Sequence, residues 1–266
     1  MIKKSLKAVF LGAVLLFMYF PILVLSVYSF TSASTIGQNA NFSFNNYINL
    51  FKAEELKNMI IGTLLLALVS AILATLLGTT GAIGAFYSKR FSRTFIEQAN
   101  QIPVVNADVV TGFSVCVLLI ALIGIPKSTF LPLIIGHTAL SAPFVYLSVV
   151  PKLKQMDSSL YEAALDLGAS PSTALFKIVI PQIVPGIISG FVMALTLSLD
   201  DYFITTYTKP ATFDTISTYV VNATKGGQTE IKTALWALST VIFVVITTVV
   251  IVMNVAKKED KKGENK

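Results

Sequence analysis

Six long apolar runs, at about Ala8 to Phe30, Met59 to Tyr87, Pro103 to Ile125, Phe130 to Val150, Ile183 to Thr206 and Ala234 to Val255, leave little of this 266-residue chain outside them. A helix needs about 20 apolar residues to cross the hydrocarbon of a bilayer, and every run is that long. Runs this continuous argue against a transmembrane barrel, whose short strands alternate apolar and polar positions. With 54% hydrophobic and only 13% charged residues, too little polar sequence remains for a soluble domain of any size. The expectation is an all-α integral membrane protein in which residues 1–266 form one six-helix transmembrane domain.

Charge asymmetry orients the spans. With the N-terminus inside, Lys3, Lys4, Lys7, Lys89, Arg90, Arg93, Lys152, Lys154, Lys177, Lys257, Lys258, Lys261, Lys262 and Lys266 lie on the inner side. Only Lys52, Lys57, Lys127, Lys209, Lys225 and Lys232, six of the 20 basic residues, lie outside. The positive-inside rule therefore places both termini in the cytoplasm. On this view the net charge of +6 reflects topology, and the tail Lys257 to Lys266 is expected either near anionic lipid or simply disordered, with no nucleic-acid partner. Met1 to Lys7 is basic and Ser32-Ala33-Ser34 resembles a cleavage site, but the apolar run between them exceeds a signal core and is read as a span. The single cysteine, Cys116, falls inside the third run, so neither an internal disulfide nor a Cys-x-x-Cys metal site is expected.

One inner connection, Pro151 to Gln182, is far longer than its neighbour Ser88 to Ile102, a short basic link. Asp157, Ser158 or Ser159 can cap a helix with body Leu160 to Leu167, and Gly168 suits a left-handed C-terminal stop. Ser170-Pro171 supplies a second start, and Pro181, lacking a backbone N–H, is expected to end that second helix. Glu162 and Asp166 are four apart and share a face, and Ala163 and Ala164 keep the surroundings of that face sterically open. Spacing alone fits an ordinary amphipathic surface helix.

The same residues carry a resemblance. Glu162-Ala163-Ala164, three residues, Gly168, nine residues, Ile178, one residue, then Ile180-Pro181 resembles the EAA loop of type I ABC importer permeases. Ile180 stands where leucine is usual, a volume-conserving apolar exchange. In that family the loop, between the fourth and fifth spans, is the coupling helix that enters a cleft of the ATP-binding subunit. The resemblance thus implies that Glu162, Ala163, Ala164, Gly168, Ile178 and Pro181 couple this chain to a separate pair of ATPase subunits. No G-x-x-x-x-G-K-[ST] phosphate loop occurs, which agrees with ATP and Mg being held by that partner and with no cofactor in this chain. Gly78, Gly81 and Gly84 lie inside the second run and are read as close helix-packing positions.

Cargo is argued from acids in the runs. A carboxylate at the bilayer centre costs about 2.5 to 3.5 kcal/mol, so Asp108, Asp200 and Asp201 imply an aqueous path. Counting along the third and fifth runs at about 1.5 Å per residue puts Asp108 and Asp200 at levels roughly 18 Å apart. On a continuous helix the adjacent Asp200 and Asp201 point about 100° apart, so one is expected to meet substrate and the other a neighbouring helix. Tyr202, Phe203 and Tyr207 follow, and aromatic faces beside carboxylates favour ammonium groups. Ser198-Leu199-Asp200-Asp201 is similar to the fifth span of the spermidine/putrescine permeases. Similarity runs from Pro103 to the sixth span, with a weaker echo in Phe42 to Phe51, and Asn106-Ala107-Asp108 keeps an acid found in those relatives. His137 also has a counterpart there and is expected to pack between helices near Ser141.

The resemblance therefore implies a non-enzymatic permease subunit of an ATP-driven polyamine importer in a bacterial cell membrane. It brings in a second permease subunit and an extracytoplasmic polyamine-binding protein as partners. Two alternatives are the same architecture carrying another small organic cation, and a self-contained secondary transporter or channel, which would leave the coupling pattern without a role. No metal cluster or nucleophile-base pair points to an enzyme.

Overall fold

The computed structural model describes residues 2–38, 41–52, 54–157, 159–225, 233–244 and 247–248. They are overwhelmingly helical. In chain order the helices are α1 (Ile2–Ser29), α2 (Asn45–Lys52), α3 (Glu54–Tyr87), α4 (Arg90–Val105), α5 (Asp108–Cys116), α6 (Leu131–Gln155), α7 (Ser159–Asp166), α8 (Pro171–Ala174), α9 (Ile180–Asp200), α10 (Phe203–Thr208) and α11 (Ile216–Lys225). A further apolar helix, α12, covers Thr233–Val244. Apart from residues 247–248, the rest of the sixth expected span and the tail Lys257 to Lys266 lie outside the described residues. Among the described residues four helical stretches are long and apolar enough to cross a membrane, Val9–Ser29, Leu56–Tyr87, Leu131–Gln155 and Pro171–Asp200, and a bent pair makes a fifth if it is taken as one span.

That bent pair corrects the third span. Its expected start, Pro103, sits inside α4, and Ser88 to Ile102 is mostly helix, not a plain link. Asn106 and Ala107 are both extended (ψ 147° and 140°), and α4 and α5 meet there at 108°. The new helix starts where an acid, Asp108, sits in its first turn against the positive end of the helix dipole. A π-helical turn, Val117–Leu122, continues α5.

Two further boundaries move. Pro181 does not end the second loop helix: Pro171–Asp200 is one 30-residue stretch. A π-turn over Leu175–Val179 sets Ile180 N–H on Leu175 O, and this wider turn admits the proline ring that a regular α-turn would reject. At the other end the helix stops at Asp200, short of Thr206, because Asp201 is extended and starts α10.

The chain packs as two compact units, residues 1–58 with 220–266, and residues 59–219. In the first, Asn46 Nδ2 donates to the carbonyls of Ser29 (3.1 Å) and Thr31 (3.0 Å), and Ser29 Oγ meets Tyr47 Oη at 2.9 Å. Phe30 packs against Phe42, Phe44 and Tyr47 beside an antiparallel bridge from Thr31 to Phe42. In the second unit, Ala71, Ala74, Ala82 and Ala85 of α3, Val145, Tyr146, Val149 and Leu153 of α6, and Val179, Ile183 and Ala194 form the core. Small residues at helical spacing let backbones approach, which is what associates helices where lipid is as apolar as the side chains. Of the three expected packing glycines only Gly78 is in close contact, its Cβ position 2.6 Å from Ala142 O and Val145 Cβ. Gly81 is loosely faced and Gly84 meets nothing within 4 Å, because a spacing of three drifts off any single helix face.

Candidate functional site

Two places gather the candidate residues. The first is the α7–α9 loop. Asp157 Oδ1 accepts from Ser159 N–H at 3.0 Å, and the Ser159 hydroxyl and N–H hold the Asp157 carboxyl below its usual range. Gly168 has φ +86°, and two bonds close the helix around it: Gly168 N–H to Leu165 O (2.9 Å) and Ala169 N–H to Ala164 O (3.0 Å). That pair is a Schellman stop, followed at once by Ser170, whose hydroxyl accepts from Thr173 N–H at 3.3 Å to start α8.

This double cap fixes which side chains stand out. Tyr161 packs against Tyr87 with ring centroids 4.9 Å apart and planes tilted by 41°, tying α7 to the end of α3, while Ala174 and Val179 are buried. Glu162, Ala163, Asp166, Gly168 and Pro181 are exposed, and Ala164 and Ile178 are half-buried. Two apolar residues absent from the motif are conspicuously open, Leu167 at 89% and Phe176 at 66%. Local rules account for both: the residue before a left-handed glycine leaves the helix face, and Phe176 falls between the inward positions Leu175 and Val179. Gly168→Val is expected to open this knob, since a β-branched residue is strained by about 1–2 kcal/mol in left-handed backbone. Amide exchange across 159–169 should then rise at least about fivefold, read by mass spectrometry.

The second place is the break after α9, which carries three faces. Ile183, Gly186, Gly190, Ala194 and Ser198 are buried. Val184, Ile188 and Val192 form an exposed apolar face. Gln182, Ser189, Met193, Thr196 and Asp200 form a third face, also exposed. At about 100° per residue these last five fall within roughly 60° of one another, a mainly polar stripe running the length of the helix. Asp200 ends it; its carboxylate is exposed and makes no hydrogen bond among the described residues.

Asp201 is placed differently. Its side chain is 4% exposed and caps α10: Oδ2 accepts from Thr205 N–H (2.7 Å) and the Thr205 hydroxyl (2.8 Å), Oδ1 from Ile204 N–H (3.3 Å). His137 is fully buried beside it, with Nε2 2.9 Å from Thr205 Oγ1 and Nδ1 2.7 Å from Ser198 Oγ. The hydroxyl of the expected partner Ser141 is buried with no hydrogen bond among the described residues; the histidine reaches across to the α9–α10 break instead. Tyr202 packs on Phe203 (5.2 Å) and Tyr207 on Phe113 of α5 (5.8 Å), both tyrosines half-buried.

Asp108 stands in the first turn of α5, the helix that packs against α10 just past this break. Gly112, one turn further into α5, has its Cβ position 3.1 Å from Ile204 Cα and N. Asp108 is therefore about 6 Å along α5 from the level of Ile204, which lies in the first turn of α10 just past the other break. Both helix breaks, each carrying an exposed acid, come together. Paired discontinuous helices are how transporters place polar groups at membrane depth. No group of three or more potential metal ligands occurs among the described residues.

Residues 79–257 match the family described as binding-protein-dependent transport system inner membrane component. Over 265 residues the chain is 31% identical to the spermidine/putrescine transport system permease protein PotC of Escherichia coli (strain K12), covering 99% of this chain and 98% of that one. Identity is 33% over 217 residues to the putrescine transport system permease protein PotI of the same strain, covering 79% and 77% of the two chains. In fold it is similar to a bacterial ABC transporter involved in the import of the acidic polysaccharide alginate, with TM-score 0.69, 21% identity and 94% of each chain covered. A bacterial alginate ABC transporter in complex with its alginate pentasaccharide-bound periplasmic protein gives TM-score 0.65 at 20% identity, covering 91% of each chain. The family match takes in both acid-bearing breaks and the entire α7–α9 loop, and near-complete coverage by a relative accompanies it: this chain belongs to the binding-protein-dependent transport system inner membrane components.

Proposed function

We propose that this chain is the membrane permease subunit of an ATP-driven importer of polyamines. Both termini are cytoplasmic, the α7–α9 knob docks on a separate ATPase pair that holds ATP and Mg, and residues 1–266 act as one permease domain beside a second permease. An extracytoplasmic binding protein delivers the cargo. This chain makes no covalent change; it alternates access.

The observation that carries the cargo is the polar stripe of α9 ending in the exposed Asp200. A lipid-facing carboxylate would cost about 2.5 to 3.5 kcal/mol, so the stripe is read as the wall of a water-filled route. Serine and threonine hydroxyls accept weakly from ammonium groups, and Asp200 and Asp108 attract them at the junction. Tyr202 and Tyr207 add aromatic faces. Several weak contacts suit a path that must release what it binds. Support for polyamines in particular comes from PotC and PotI, permeases of spermidine/putrescine and putrescine transport systems.

The test is uptake by the assembled transporter in proteoliposomes, with radiolabelled spermidine, putrescine and a quaternary amine, with and without ATP. ATP-dependent accumulation of the polyamines is expected. Preference for the quaternary amine would move the cargo to another organic cation, and accumulation without ATP would favour a self-contained carrier.

A further inference from the structure

Adjacent aspartates at the end of α9 face opposite environments, and the hydrogen bonds explain why. The Thr205 hydroxyl has one proton to donate, and Thr205 Oγ1 lies 2.8 Å from Asp201 Oδ2. Having donated there, it can only accept from His137, so the proton on that side of the ring is on Nε2. In the tautomer with its single proton on Nε2, Nδ1 accepts from the Ser198 hydroxyl at 2.7 Å. The order Ser198, His137, Thr205, Asp201 leaves each of these polar groups satisfied, and it joins α6 to both sides of the α9–α10 break.

We infer that His137 is a positioning residue which, through Thr205, commits Asp201 to capping α10 and leaves Asp200 as the one carboxylate of the pair that meets the transported cation. This rests on the polyamine reading above. Asp201 already accepts three hydrogen bonds at a site shielded from water, so an ammonium group would have to displace the cap to reach it. Asp200, one residue earlier, continues the exposed line of Ser189 and Thr196. Asp201 sets where the helix stops, and that stop sets where Asp200 sits.

The experiment uses the complete transporter in membrane vesicles and reads putrescine uptake per ATP hydrolysed, normalised to assembled complex. Asp200→Asn is expected to lower this ratio at least about tenfold, the loss of one charge-assisted contact. Asp201→Asn keeps a capping oxygen and should stay within about threefold of wild type. His137→Leu should fall about tenfold, and His137→Gln, which restores an Nε2–H donor, should recover most of it. Adding His137→Leu to Asp200→Asn should lower the ratio no further, whereas a merely structural histidine would lower hydrolysis and uptake together. Equal loss in Asp201→Asn and Asp200→Asn, or multiplicative loss in the double variant, would overturn the assignment. Should His137→Leu fail to assemble, the comparison of the two aspartate variants decides alone. Absence of polyamine uptake by the wild-type transporter overturns the cation reading, and this inference with it.

Discussion

Glu162→Lys is expected to abolish ATP-driven uptake while leaving the amount of protein in the membrane unchanged. Glu162 is exposed in the first turn of α7, so lysine there disturbs only a helix-dipole contact of about 0.3–1 kcal/mol. Folding should not register so small a change. Docking should: the acid stands on a small knob beside Ala163, Leu167 and Phe176, and reversing a charge at a matched interface costs several kcal/mol, on the order of 100-fold or more in affinity. Co-purification of the ATPase and uptake would fall together, with Glu162→Gln intermediate. Normal co-purification and normal transport in Glu162→Lys would remove α7 from the coupling surface.

The parts of this fold that were legible in the sequence are those set by local rules. The runs that begin near Ala8, Met59 and Phe130 carry long apolar helices in the structure, because length and hydropathy alone decide them. The caps of α7 and α8 follow from Asp157, Gly168 and Ser170, residues whose backbone preferences act over three or four positions. What escaped depends on longer-range partners. Nothing in Asn106-Ala107 announces a 108° turn between two apolar helices. The π-turn before Pro181 is a cooperative adjustment of the helix, visible only once Ile180 and Leu175 are seen paired. At the acidic break, sequence separated Asp200 from Asp201 in direction but could not say which was buried; that depended on His137, more than sixty residues away. Leu167 and Phe176 stand outside the acidic and small positions of the motif, and an apolar side chain in sequence is as well suited to a core as to an open face.

The second large effect concerns the packing that carries both sites. Gly190→Val is expected to destabilise the 59–219 unit by at least about 3 kcal/mol, at the upper end of overpacking costs. Val145 of α6 sits between two glycines: the Cβ positions of Gly78 on α3 and Gly190 on α9 are each 2.9 Å from its Cγ1. At Gly190 the position is also 3.1 Å from Val145 Cα, a backbone atom that no rotamer change can move. The helices themselves must separate, and within a membrane such close packing is what holds them together. Ser198 and the Asp200–Asp201 break sit on the same helix, so the shift would reach the acidic junction as well. Unfolding in mixed detergent micelles, followed by circular dichroism against the wild type, measures the loss. Gly84→Val serves as the contrast, because its Cβ would meet nothing within 4 Å. Adding Val145→Ala should recover only part of what Gly190→Val loses, since the clash with Cγ1 is removed but the backbone of residue 145 stays in the way. Equal tolerance of valine at 84 and 190 would mean that α6 and α9 are not held by this close approach.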